Sequence, residues 1–206
     1  MEELLRQHWY DLGGILSILT AIYLFVQYHL LTNYQILMWI NLITLFLHQL
    51  EEYRIVGTFP GMLNKTLFES DLPDRYPLNT QISVYVNVYF AWTIYFLAAI
   101  LAESAIFLGI ICIFVSIGNI VGHTILFNIK GRTFYNAGLI TCWTLFVPVS
   151  YYFFKIINSE NLVSNIEYII WIPISIVISY LAIFKMITTF KDKNTKFAFP
   201  ERCLLK

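Results

Sequence analysis

Charge is scarce in this sequence: 13% of its 206 residues are Asp, Glu, Lys or Arg, thirteen basic against thirteen acidic. With 58% hydrophobic residues, a soluble domain so poor in charge would lack the polar surface to cover itself. Zero net charge also removes the surplus of Lys and Arg that nucleic-acid binding requires. Nine Gly and six Pro are too few for a collagen-like or Gly/Ser-rich chain. Cysteine is rarer still. Cys112, Cys142 and Cys203 form no CxxC pair, and so odd and scattered a set suits neither a disulfide framework nor a zinc cluster; they read as free thiols. The N-terminus carries acidic residues and no small-residue cleavage pattern before Asp11, so the first apolar run is expected to stay as a span.

What the chain does have is 17 Phe, 14 Tyr, 5 Trp and a mean hydropathy of +0.67, which excludes disorder and leaves a polytopic membrane protein. The expected fold is an all-α transmembrane helix bundle forming a single domain. A span needs about 20 mostly apolar residues to cross roughly 30 Å of hydrocarbon. Six stretches qualify, at 12–31, 34–56, 82–101, 105–128, 134–156 and 166–190. Only Ala102, Glu103 and Ser104 divide the third from the fourth, and Glu103 is the natural place to turn in a run too long for one span. Pro148 and Pro173 fall inside spans, where membrane helices tolerate them as kinks. The longest loop, 57–81, reads as an interfacial partial lid or as an ordinary amphipathic connector, and 191–206 is a basic C-terminal tail.

Six spans put Arg6, Arg54, Lys65, Arg75, Lys130, Arg132, Lys185, Lys191, Lys193, Lys196, Arg202 and Lys206 on one side and Lys155 alone on the other. By the positive-inside rule the termini are cytoplasmic. The expected location is the plasma membrane, with the lipid bilayer as the surrounding partner.

Charges within spans are rare and costly, which makes them functional candidates. The sequence His48-Gln49-Leu50-Glu51-Glu52 lies near the end of the second span. On a helix Glu51 stands at i+3 and Glu52 at i+4 from His48, so both carboxylates adjoin the imidazole. The fourth span supplies Gly118-Asn119-Ile120-Val121-Gly122-His123, with Asn119 and His123 on one face and a GxxxG pair expected to admit a neighbouring helix. His48 and His123 are about 12 and 7 Å from the cytoplasmic ends of their spans. Asn87, Tyr135 and Asn136 fall in the same half as supporting residues. Two histidines and two carboxylates suit zinc, iron or manganese. Accordingly His48, Glu51, Glu52 and His123 are candidate ligands of one divalent metal, zinc or iron, with Glu51 or Glu52 taking a proton from a bound water as catalytic base. The plainer readings are that Glu51 and Glu52 sit at the headgroups and pair with Arg54 and Lys65, that Asn87 and Asn119 are interhelical glue, and that Tyr135 is an interfacial anchor.

The run His48-Gln49-Leu50-Glu51-Glu52 resembles the HXXEE family of small multispan membrane proteins. The resemblance implies a second histidine, matched by His123, and a YxPG-like motif, met by Tyr135-Asn136-Ala137-Gly138 with Ala137 in place of proline. Phe59-Pro60-Gly61 and Asn64 are similar to the segment that follows the motif. The resemblance covers 41–151 and implies that the His and Glu residues form one set; it brings no reaction with it.

The favoured function is a metal-assisted, hydrolase-like membrane enzyme acting on a lipid-like or amphipathic substrate. A metal-free acid/base isomerase is a variant of it. A glutamate-pair protease fits poorly, because Arg54 is only two residues after Glu52, and a di-iron oxygenase would need more than four histidines. The alternatives are a proton-linked transporter, against which stands a cluster off the midplane and no visible inverted repeat, and a non-catalytic membrane partner.

Overall fold

The computed structural model describes residues 2–205, which are helical throughout their ordered elements and contain no strand. Helix α1 covers 2–30, α2 33–55, α3 59–67, α4 80–101, α5 106–131, α6 139–159 and α7 165–190. Four stretches are long and apolar enough to cross a membrane: Glu3–Leu30, Thr80–Gly131, Leu139–Ser159 and Asn165–Phe190. The second of these is folded back on itself. Tyr95 donates its hydroxyl to the carbonyl of Cys112 at 2.9 Å, whereas the two residues would stand about 26 Å apart in one straight helix. The reversal occupies 102–105, with Ala102 at φ 42°, so the turn falls at Glu103 as expected.

Local signals explain the helix starts. Thr32 and Gln35 close a capping box on α2, and Ser164 and Glu167 close another on α7, each satisfying amide groups that a helix end leaves without partners. Asn79 caps α4 by accepting from the amides of Gln81 and Ile82. Two helices start elsewhere than the apolar runs: α1 begins at Glu2, ten residues before the run at 12–31. Helix α6 begins at Leu139 instead of Phe134, because Gly138 at φ 104° interrupts the helix, and 134–138 is a loop.

Helix α2 lies at the centre, packed against α1, α4 and α6. Two apolar clusters share the interior. One gathers Tyr34, Trp39, Phe46, Tyr95, Phe146 and Phe153. The other gathers Trp9, Tyr53, Leu78, Ile82, Phe127 and Phe199 at the end where the chain termini meet. There the C-terminal tail folds onto the bundle: Phe197 O accepts from Thr80 N, Phe199 N donates to Asp74 O, and Arg202 Nη1 donates to Tyr53 O at 2.9 Å. The loop from 56 to 79 is tied down by Asn64, whose amide donates to the carbonyls of Pro73 and Leu78 and accepts from Leu78 N. At the opposite end Asn33 Nδ2 donates to Glu160 and Thr32 to Glu103. Wide π-helical turns occur at Leu63–Leu67 and Leu181–Lys185 and also at Glu51–Ile55, Tyr85–Trp92, Gly122–Leu126 and Cys142–Phe146. Such turns are uncommon and recur at functional sites; the last four carry Glu51, Glu52, Asn87, His123 and Cys142.

Candidate functional site

Helix α2 ends its regular part at Leu50, and its last turns present His48 and Glu52 to the bundle interior, both almost fully buried. The same turns aim Glu51 at α6. Helix α5 brings His123, 1% exposed, against them. Glu52 Oε1 stands 3.5 Å from His48 Nε2 and 3.2 Å from His123 Nε2, and the two imidazoles meet edge to face with centroids 5.1 Å apart. Arg54, which the headgroup reading would pair with these glutamates, instead holds Asp11 at 3.0 Å.

The protons on the imidazoles follow from their outer neighbours. His123 Nδ1 lies 2.6 Å from Asn136 Oδ1. The Asn136 amide nitrogen donates to His123 O and to Asn128 Oδ1, which fixes its Oδ1 as an acceptor and His123 Nδ1 as the protonated nitrogen. His48 Nδ1 lies 2.8 Å from Thr141 Oγ1. The other neighbours of that hydroxyl, Glu51 Oε2 at 2.6 Å and Gly138 O at 3.1 Å, are acceptors and take its single proton, so His48 Nδ1–H is the donor. In neutral rings with the proton on Nδ1, both Nε2 atoms carry lone pairs and are buried without a hydrogen bond; protonated, each would pair with Glu52. In the neutral form two lone-pair nitrogens and one carboxylate oxygen face one another with no donor among them. Among the described residues no Lys or Arg pairs with Glu52. Such a convergence of acceptors is costly to bury unless a cation or a proton sits between them.

Glu51 occupies a different position from Glu52. Its carboxylate accepts from Tyr135 OH at 3.1 Å, Ile140 N at 3.3 Å, Thr141 N at 2.8 Å and Thr141 Oγ1 at 2.6 Å. It thus caps the N-terminus of α6 from another helix, where a negative charge is stabilising, and reaches His48 only through Thr141. Glu51→Gln would set an amide donor against these donors. It should lower the thermal stability of the purified protein by about 1–3 kcal/mol, read by thermal unfolding in detergent; an unchanged midpoint would remove the capping role.

Asn136 and Tyr135 are thus brought to the site, each through one residue. Asn87 and Asn119 line the adjoining cavity but bond elsewhere: Asn87 accepts from Gln49 Nε2 and donates to Ser83 O, and Asn119 donates to Val115 O on its own helix. The GxxxG glycines do not serve close packing. A Cβ at Gly118 would meet nothing within 4 Å, and one at Gly122 only Phe127 of the same helix; they open space. Gly138, the last residue of the Tyr135-Asn136-Ala137-Gly138 motif, lies against both imidazoles. Thr141, which no motif marks, bridges the two sides of the site, and Cys142, a free thiol, adjoins it. The ligand atoms of His48, His123 and Cys142 lie within 4.8 Å of one another, a buried group that could hold a metal. Phe59, Phe127 and Phe146 pack on the imidazoles.

Residues 39–153, more than half of the chain, match the family described as a protein of unknown function with HXXEE motif. No curated protein and no solved structure matches the chain.

Proposed function

We propose, for a chain that belongs to the HXXEE-motif family, a membrane-embedded metal centre built on His48, His123 and Glu52, serving hydrolase-like chemistry on an amphipathic, lipid-like substrate. The observation that carries it is the pair of buried, unbonded Nε2 lone pairs turned toward Glu52. Separations of 3.2 and 3.5 Å from Glu52 Oε1 to the two nitrogens are close to the roughly 3.4 Å that separates ligands around a tetrahedral ion held at about 2.0–2.1 Å. His48 and His123 have the partners that orient imidazole ligands, Thr141 and Asn136. Cys142 stands 4.0 Å from His48 Nδ1, the nitrogen already engaged by Thr141, so its thiol adjoins the centre from behind. Zinc or iron suits this donor set. A divalent ion there supplies a Lewis acid and an acidified water. Glu52 is placed to ligate or to hold the proton of that water, and Glu51 positions His48 through Thr141.

The same reading places six helices, α1, α2, α4, α5, α6 and α7, across the membrane, with both termini and the site toward the cytoplasm. It rests on the twelve-to-one distribution of basic residues and on a tail and loops that gather at the site's end of the bundle.

Metal analysis of the purified wild-type protein tests the centre. About one equivalent of zinc or iron is expected, and clearly sub-stoichiometric metal would leave the cluster as a proton-holding group. Asn136→Leu removes the acceptor behind His123 and should weaken metal affinity roughly 10–100-fold, measured by chelator competition; unchanged affinity would count against the assigned tautomer.

A further inference from the structure

The cavity beside the proposed centre opens on the flank of the bundle. It measures about 510 Å³ and runs between α5 and α7, with α2 and α4 behind it, a size usual for small-molecule sites. Helix α7 packs along α5 through its first half and then crosses to α4 at 181–190, leaving the seam beside 118–126 unfilled. Gly118 and Val121 on one side, and Ile176, Tyr180 and Phe184 on the other, both line the cavity and are exposed on the outer surface. The absence of any atom within 4 Å of a Gly118 Cβ marks the same gap. Both walls belong to stretches apolar enough to cross a membrane, so the mouth faces acyl chains.

Two features narrow the occupant. At about 510 Å³, with a lining that is almost wholly apolar, the cavity has room for an alkyl chain. Among the described residues that line it, Glu52 is the sole formally charged side chain, with no Lys or Arg, so only the proposed metal could partner a polar head. We infer that the cavity seats the alkyl chain of a membrane amphiphile, admitted sideways between α5 and α7, with its polar head at His48, Glu52 and His123. The chain's seat stands on the cavity alone; the head's position rests on the metal-centre reading above.

The test is photolabelling of the full-length protein in lipid nanodiscs with a monoacylglycerol carrying a diazirine in a sixteen-carbon chain, the adducts being mapped by mass spectrometry. Adducts are expected on 117–126 and 176–187. Gly118→Leu, whose side chain enters empty space, should reduce them at least fivefold while metal content and thermal unfolding stay unchanged. Ile183→Trp, from the opposite wall, should do the same. Adducts confined to outward residues such as Ile15 and Phe25, or labelling indifferent to both variants, would overturn the inference. Cavity labelling in a protein that holds no metal would support the seat and overturn the metal-centre reading instead.

Discussion

His123→Ala should lose its metal, and Glu52→Gln should lose it while becoming no less stable than metal-free wild type. Four ligands share roughly 10–16 kcal/mol in structural zinc sites, so removing one costs about 2.5–4 kcal/mol, a factor of about 10²–10³ in affinity. After purification and dialysis, His123→Ala should retain less than about a tenth of the wild-type metal by elemental analysis. Glu52→Gln is the sharper variant, because it nearly preserves shape while exchanging an acceptor for a donor. In the wild type His48 Nε2 and His123 Nε2 are buried without a hydrogen bond, and both adjoin Glu52 Oε1. A carboxamide nitrogen in that place donates to lone pairs that otherwise lack a partner and removes a buried charge that has no basic side chain beside it. The metal-free variant is therefore expected to unfold at or above the temperature of metal-free wild type. Stoichiometric metal in either variant, or a Glu52→Gln protein markedly less stable than the stripped wild type, would refute the arrangement. Asn119→Ala is the comparison that should keep its metal, since Asn119 bonds only within its own helix.

Gly138→Ala is expected to damage the site as severely as loss of a ligand. A Cβ at this position would lie 2.6 Å from His123 Cε1 and 2.9 Å from His48 Cε1, well inside contact distance for both rings at once. The rings cannot swing away freely, because each is held by a bond on Nδ1 and an aromatic neighbour. Gly138 also has φ 104°, a conformation that costs a residue with a Cβ about 1–3 kcal/mol. Overpacking adds a further ~1–3 kcal/mol. The sum should appear as a large fall in thermal midpoint in detergent together with metal loss. Gly118→Ala, on a residue with open space around it, should cost little in either measurement. Equal behaviour of the two glycine variants would show that the close approach at Gly138 is not what holds the imidazoles.

Much of this was legible in the chain. The His48-Gln49-Leu50-Glu51-Glu52 spacing places His48 and Glu52 one helical turn apart, and the structure keeps that neighbourhood. The turn at Glu103 follows from an apolar run too long for one crossing. The start of α6 was not legible, since the apolar pattern continues through Phe134 and only the backbone of Gly138 ends the loop. The role of the GxxxG pair was misread for a related reason: small residues allow close packing but equally leave a void, and the course of α7 decides which.

The sequence by itself determined the helical class, the stretches apolar enough to cross a membrane and the candidate set, because hydropathy and i+4 spacing are properties of position along one chain. Tertiary structure alone decided the division of labour between the two glutamates. Neighbouring residues on a helix point about 100° apart, so which carboxylate meets His123 and which meets the free amides of Ile140 and Thr141 depends on where α5 and α6 stand around α2. It likewise brought Thr141, Gly138 and Cys142, some 90 residues beyond the motif, against His48, a proximity set by packing and written in no local pattern.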